Sequence, residues 1–233
     1  MRTALRFLTI LPAPGEHRAP GHATVISFPL VGALTGLAWL GAFSLGMLLD
    51  MPLVAAAFVL VVDAVLTGVL HLDACGDVAD GVASRRPPDD AIRIMREPAV
   101  GAAGAAAIVL VTLLRFALLA GAPAAGLALV AAPVAGRTAM ILLLTLLPPR
   151  DHGSLAAAFA RPGPLATLTT VAVALAAVTL AGGLQGAVAL AGSLVAVTVY
   201  GLWWRKRFGG LTGDGVGAGG LLAETAALLA IVA

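Results

Sequence analysis

Charge is what this sequence has least of. Only 11% of its 233 residues are Asp, Glu, Lys or Arg, less than half of the roughly 25% that a water-facing domain carries. That excludes an ordinary soluble enzyme, a disordered tail and a nucleic-acid-binding module. A single cysteine excludes a disulfide framework and a multi-thiolate metal centre. Aromatic residues are scarce as well, at 5%. What the chain has in their place is apolar and small: 60% hydrophobic residues, 28 glycines and a mean hydropathy of +1.02. Small residues let helices approach closely in lipid. The net charge is only +2, so the positions of the charges carry more information than their sum.

A helix that crosses a bilayer needs about 20 apolar residues. Stretches of that kind fall near 24–47, 52–72, 101–121, 123–147, 165–182, 185–204 and 216–233. They predict an all-α, polytopic transmembrane bundle of about seven spans, a single integral membrane domain over residues 1–233, with the site built from short cytoplasmic helices and loops. Alternating apolar/polar runs are absent and Ala and Leu dominate, which argues against strands. The polar lead before the first stretch holds three prolines and lacks a small-residue cleavage signal, so it is not read as a removable signal peptide. Basic residues then set the orientation. Arg2, Arg6 and Arg18 precede the first stretch; Arg85, Arg86, Arg93 and Arg96 follow the second; Arg150 and Arg161 follow the fourth; Arg205, Lys206 and Arg207 follow the sixth. The intervening connections hold no Lys or Arg. The positive-inside rule places the N-terminus in the cytoplasm; the expected location is the cell inner membrane.

Nine Asp and three Glu are the only acids, and five of the Asp fall between positions 73 and 90. In His71-Leu72-Asp73-Ala74-Cys75-Gly76-Asp77-Val78-Ala79-Asp80-Gly81, the three Asp lie at i, i+4 and i+7. A helix continuing the second span puts them on one face. Such carboxylates repel one another unless protons or cations intervene. Oxygen donors at this spacing suit Mg²⁺, which takes one or two carboxylates plus substrate phosphates. A solvated helix end with acids scattered by chance is the plainer alternative, but ionisable groups at a membrane are usually functional. Gly76 and Gly81 leave room for a phosphate or another helix. His71 reads as a ligand, a supporting partner or an interfacial histidine satisfied by a neighbour.

Pro87 and Pro88 break the helix, and Asp89 and Asp90 sit where an N-cap belongs. Asp89 pairs with Arg93 at i+4 in this reading, and Arg93 with Glu97. Ile92, Ile94 and Met95 lie on the membrane surface, with Arg93 and Arg96 reaching phosphates of lipid or substrate. Arg115 and Arg137 are inside spans, where a charge faces a partner or an aqueous cavity. Arg115 pairs with Asp63 across helices; Arg137, beside Gly136, is shaped for a phosphate. Finally, seven glycines in the thirteen residues from Phe208 to Gly220 predict a flexible turn exposing N–H groups to phosphate around Thr212-Gly213-Asp214; a plain linker would be glycine-rich too. Glu224 points back toward the same side.

Taken in order, these segments resemble the cobalamin-5′-phosphate synthase family, the membrane adenosylcobinamide-GDP ribazoletransferases of cobalamin biosynthesis. The resemblance runs over nearly the whole chain: Arg6-Phe7-Leu8-Thr9-Ile10-Leu11-Pro12-Ala13-Pro14, Phe28-Pro29-Leu30-Val31-Gly32, His71-Leu72-Asp73, Asp77-Val78-Ala79-Asp80-Gly81, Ile94-Met95-Arg96-Glu97-Pro98, Gly136-Arg137 and Thr212-Gly213-Asp214-Gly215-Val216-Gly217-Ala218. It implies attack by a hydroxyl of α-ribazole, or its 5′-phosphate, on the cobinamide-bearing phosphorus of adenosylcobinamide-GDP, with GMP leaving. Asp73, Asp77 and Asp80 are the catalytic and Mg²⁺-binding candidates, with Glu224 added as a metal ligand. Arg85, Arg93, Arg96, Arg137, Thr212, Gly213 and Asp214 are the substrate-binding candidates. Implied partners are the two substrates, membrane lipid and a homo-oligomer or complex with other cobalamin-assembly enzymes, but no nucleic acid.

Two other readings stand beside this one. Asp77-x-x-Asp80-Gly81 followed by Arg85 is similar to the CDP-alcohol phosphatidyltransferases, but Ala83 is followed by Ser84 rather than Arg and the later Asp pair is missing. A cation-coupled carrier would use the same three Asp, yet carriers place their sites near the midplane between repeats, and no internal repeat is evident.

Overall fold

The computed structural model describes residues 1–14, 20–122, 125–151, 155–159 and 162–233; Arg18 and Arg161 lie outside the described residues. The described chain is helical, with one isolated bridge between Pro149 and Leu211. Helix α1 (Arg2–Leu8) and the single turn α2 (His22–Val25) lead into α3 (Phe28–Leu48), and α4 is Pro52–Thr67. Gly46 lies so close to the Ala55 backbone that a side chain there would collide with it, which lets α3 and α4 fold back on each other. The remaining helices are α5 (Leu70–Ala83), α6 (Pro88–Met95), α7 (Ala102–Ala120), α8 (Ala131–Leu146) after a 3₁₀ turn at Gly126–Val130, α9 (Leu155–Ala158), α10 (Pro164–Phe208) and α11 (Gly213–Val232).

Helix α8 is the axis. Every residue from Ala131 to Ile141 is buried, as expected for a helix surrounded on all sides, and α3, α10 and α11 pack around it. Outward faces carry leucine and valine, with Leu48, Leu110, Leu113 and Leu180 all exposed. In water these would be a liability; in a bilayer they are the lipid-facing surface.

Five helical units are long and apolar enough to cross a membrane, and the bent pair α4–α5 makes a sixth. The expectation of about seven counted 165–182 and 185–204 separately. Both fall in α10, a 45-residue run with non-helical backbone at Gly183 (φ 57°, ψ −139°). A straight helix of that length would reach about 67 Å, twice the hydrocarbon thickness. It does not run straight: a methyl on Gly186 would touch the Val178 carbonyl carbon at 2.7 Å, although residues eight apart on one helix are separated by about 12 Å. Two arms fold back on each other at Gly183.

Two expectations need correction. The second span does not continue into the Asp segment. It stops at Thr67, where Gly68 (φ 60°) and Val69 (φ 60°) both take left-handed backbone. The Val69 N–H closes the helix on the Ala64 carbonyl at 3.0 Å, and α5 leaves at 87° to α4. The last span likewise begins earlier, at Gly213 rather than 216. One core cluster, holding Leu8, Phe28, Met95, Trp204 and Phe208, gathers at the end of the bundle where α5 and the start of α11 meet. A second, with Trp39, Leu119 and Leu129, fills the other half.

A candidate active site between helices five and eleven

The glycine-rich segment is a helix start rather than a flexible loop. Thr212 is the N-cap of α11, its hydroxyl accepting the Gly215 N–H at 3.1 Å, so the hydroxyl expected to hold substrate is engaged by its own helix. The glycines beyond it serve packing. A Cβ at Gly215 would strike the Trp204 ring at 2.6 Å, one at Gly217 the Ala74 methyl at 2.7 Å, and one at Gly220 the Met140 side chain at 2.7 Å. The Trp204 indole donates to the Gly210 carbonyl at 2.9 Å, which fixes the turn. Close approach of α11 to α5 at Gly217–Ala74 brings Asp214, in the first turn of α11, beside the acids of α5.

Asp73, Asp77, Arg96, Glu97 and Asp214 wall a single cavity of about 390 Å³, with Met95 and Pro98 also in its lining. Residues from three distant parts of the sequence therefore meet in one place. Arg96 donates to Asp151 at 2.7 Å, leaving the cavity with an excess of carboxylates. Helix α6 supports it from below. Its Ile92 and Met95 are buried against the protein, not laid on a membrane surface, Ile94 is half-buried, and Met95 occupies the space that Gly81 leaves free. Neither Asp89 nor Asp90 caps this helix: Pro87 is the N-cap. Asp90 pairs with Arg93 at 3.4 Å. Asp89 pairs with Arg150, not Arg93, and Arg150 also donates to the Phe208 carbonyl. Arg85, at φ 55°, and Arg93 are exposed and stand outside the cavity.

Asp80 has turned elsewhere. Its Oδ2 accepts the Gly101 N–H at 2.7 Å and its Oδ1 the Gly104 N–H at 2.8 Å. Gly101 is the N-cap of α7, so this carboxylate satisfies the positive end of a neighbouring helix. Gly76 and Gly104 allow the crossing: a Cβ on Gly76 would meet Ile108 at 2.9 Å.

Glu224, expected among the metal ligands, and Arg137, expected on a phosphate, are both buried in a charge network at the bundle centre and do not wall the cavity. Arg137 donates to one Glu224 oxygen; Arg115 donates to the other at 2.6 Å and to Asp63 at 3.0 Å. The pairing of Arg115 with Asp63 matches expectation; the link through Glu224 to Arg137 was not foreseen. Trp39 completes the chain, its indole donating to Asp63 at 3.1 Å and its ring lying 5.2 Å from the Arg115 guanidinium carbon. Asp151, which holds Arg96, is the other residue that sequence reasoning missed; nothing in its surroundings marks it.

Among the described residues no three His, Cys, Asp or Glu side chains close into a ready-made metal cage. Mg²⁺ does not need one, because waters and substrate phosphates complete its shell. Asp73, Asp77 and Asp214 line one cavity and have no guanidinium or backbone partner on their oxygens among the described residues, so they are carboxylates open to a site of that kind. Asp80 fits it poorly, with both oxygens on backbone N–H groups, and Glu224 does not fit it, with both oxygens on guanidinium groups.

The family model for cobalamin-5-phosphate synthase matches residues 1–232. An adenosylcobinamide-GDP ribazoletransferase of Roseiflexus sp. is 40% identical over 97% of this chain and 86% of its own length. The enzyme of the same name from Pseudomonas paraeruginosa is 38% identical over 98% and 95%, and that from Chlorobaculum parvum 35% over 96% and 91%. No solved structure matches the chain. Matched end to end by the family model and by relatives of nearly equal length, this helical membrane chain belongs to the cobalamin-5-phosphate synthase family.

Proposed function

We propose that the chain is an adenosylcobinamide-GDP ribazoletransferase acting from the cytoplasmic face of the bacterial inner membrane, with its N-terminus in the cytoplasm. The observation that carries this is the cavity shared by Asp73, Asp77, Arg96 and Asp214, a carboxylate-rich space of the kind phosphoryl transfer needs. That reaction asks little covalent chemistry of a protein. It asks for positioning and for neutralisation of charge.

The residues divide the work. Asp73 or Asp214 takes the proton from the attacking ribazole hydroxyl. The freed oxygen forms a bond to the cobinamide-bearing phosphorus, the bond from that phosphorus to the bridging oxygen breaks, and GMP departs with the electron pair. Arg96 meets the phosphate oxygens, held in place by Asp151, while exposed Arg85 and Arg93 draw the anionic donor toward the opening. Asp77 with Asp73 or Asp214 would hold Mg²⁺, which when bound would neutralise charge on the diphosphate and the leaving GMP. Asp80, Thr212, Arg137 and Glu224 hold the frame in this reading.

The deciding experiment is GMP release from the GDP-activated corrinoid by purified protein, with ribazole or its 5′-phosphate as acceptor and Mg²⁺ titrated. Release that depends on both acceptor and Mg²⁺ is the expected result; no release under any of these conditions would refute the reading.

A further inference from the structure

A second, smaller cavity of about 70 Å³ adjoins the first, and its character is different. Its walls include the rings of Phe7, Phe28 and Phe159, the Met140 thioether and the Ala156 methyl, with His71 the polar side chain among them apart from Asp73 and Asp214 at its edge. The rings come from α1, from the start of α3 and from just after α9. Phe159 packs on Phe7 at 4.6 Å and on Phe28 at 5.7 Å between centroids, edge-on to the latter. His71 is buried, and its Nε2 has no hydrogen-bond partner among the described residues. A buried polar atom left unmet is rare in a folded protein. Asp73 and Asp214 are the two residues that wall both cavities, so they form the partition between an apolar chamber and a carboxylate-rich one.

We propose that the apolar chamber receives the aromatic base of the nucleoside acceptor, with His71 Nε2 meeting the free ring nitrogen of that base. This rests on the transferase reading above and adds the site that selects the acceptor. Size agrees. A cavity of this volume holds roughly five waters, or about 150 Å³ of liquid, the bulk of a two-ring heteroaromatic. Chemistry agrees as well. Guanine carries several donors and acceptors on its edge, and those that face the phenylalanine rings, the Met140 thioether and the Ala156 methyl would be left unpaired, a heavy penalty against an apolar wall. The corrinoid macrocycle is far larger than the chamber. An apolar bicycle with one free ring nitrogen meets the unpartnered His71 Nε2 and packs its faces on the phenylalanines. Seated there, the base directs its sugar hydroxyl to Asp73 and Asp214, at the boundary with the cavity that holds the diphosphate.

The test uses full-length protein in lipid nanodiscs, with the donor saturating and acceptor ribosides of graded base size: benzimidazole, dimethylbenzimidazole and naphthimidazole. Ala156→Leu fills the chamber and Phe159→Ala enlarges it. The expected result is opposite movement: Ala156→Leu raises the acceptor KM about tenfold for the dimethylated base and less for the bare one, whereas Phe159→Ala shifts preference toward the larger base. His71→Ala raises the acceptor KM, but not for an indole riboside, which lacks the free nitrogen. The donor KM stays unchanged throughout. Equal changes in donor and acceptor KM, or an unmoved ranking of bases, would overturn the inference. If neither cavity variant accumulates, the wild-type ranking decides it, since a naphthimidazole riboside binding as well as the dimethylated one would exclude a chamber of this size. Wild-type protein that releases no GMP refutes the transferase reading; wild-type release with an unmoved ranking refutes only the chamber.

Discussion

Asp73 on α5 and Asp214 in the first turn of α11 wall the same two cavities. Their meeting depends on glycine: Gly217 sits against the Ala74 methyl with no room for a side chain between them. A reacting hydroxyl at this partition would have a carboxylate on either side. Replacing either Asp by the isosteric Asn removes the base or the charge while keeping the shape. We expect Asp73→Asn and Asp214→Asn each to lower GMP release by about a hundredfold or more, with membrane insertion unchanged. An Asp214→Asn protein with normal turnover would return the start of α11 to a purely structural role.

Metal dependence follows from the charge on the cavity. Asp73, Asp77, Glu97 and Asp214 face Arg96, which is itself paired with Asp151. A divalent cation relieves that imbalance. EDTA is expected to abolish turnover and added Mg²⁺ to restore it. Asp77→Asn should raise the Mg²⁺ concentration needed for half-maximal rate. Full activity in chelator, measured by the same GMP assay, contradicts the open-site reading.

How much of this was legible in the sequence depends on what each signal can report. Asp73, Asp77 and Asp80 do share one helix face, as their spacing requires. Spacing says nothing about which neighbour arrives at that face, and the N-terminus of α7 arrives at Asp80 through Gly101 and Gly104. The run from Phe208 to Gly220 announced itself as special, but glycine serves loops and close helix contacts equally, and only Trp204, Ala74 and Met140 reveal which use applies. The turn at Gly68–Val69 was hidden because a β-branched residue at positive φ is uncommon. Arg115 and Asp63 were legible as opposite charges in apolar spans; Glu224 joining a second arginine to them was not.

Orientation can be checked independently of activity. Basic residues occupy Arg205, Lys206 and Arg207 at one end of α10, and the break at Gly183 lies at the far end of that arm. A reporter fused after Gly183 should read periplasmic, and one fused after Lys206 cytoplasmic. The reverse pattern would place the carboxylate cavity on the wrong side for a cytoplasmic donor.

Asp80 separates structural from chemical roles on one helix. Asp80→Ala removes two charge-assisted hydrogen bonds to the start of α7, and we expect a loss of about 2 kcal/mol, read as a lowered unfolding temperature in detergent. Asp80→Asn retains an acceptor oxygen and should lose less. At low temperature the Asn variant should keep more activity than Asp77→Asn. Equal loss in the two, with no change in stability, would make Asp80 a participant in the chemistry.

Glu224 poses the sharpest question of this kind, because a membrane-buried acid near a candidate site reads naturally as a ligand. Its neighbours say otherwise. Asp63, Arg115, Glu224 and Arg137 alternate in sign and sum to zero, and all four are buried. Glu224→Gln leaves Arg115 on Asp63 and Arg137 with no carboxylate, a net positive charge in the centre of the bundle. Breaking a buried ion pair on one side costs about 3–5 kcal/mol, so this variant should accumulate poorly and unfold at lower temperature. Arg137→Met alone leaves a net negative charge and should also destabilise. The double variant, Glu224→Gln with Arg137→Met, restores neutrality around the Arg115–Asp63 pair. It should therefore be more stable than the two single effects predict when added. Its Mg²⁺ dependence should match wild type wherever the protein accumulates. Strictly additive losses would show that the two residues do not act on each other, and a raised Mg²⁺ requirement in Glu224→Gln would restore it to the metal site.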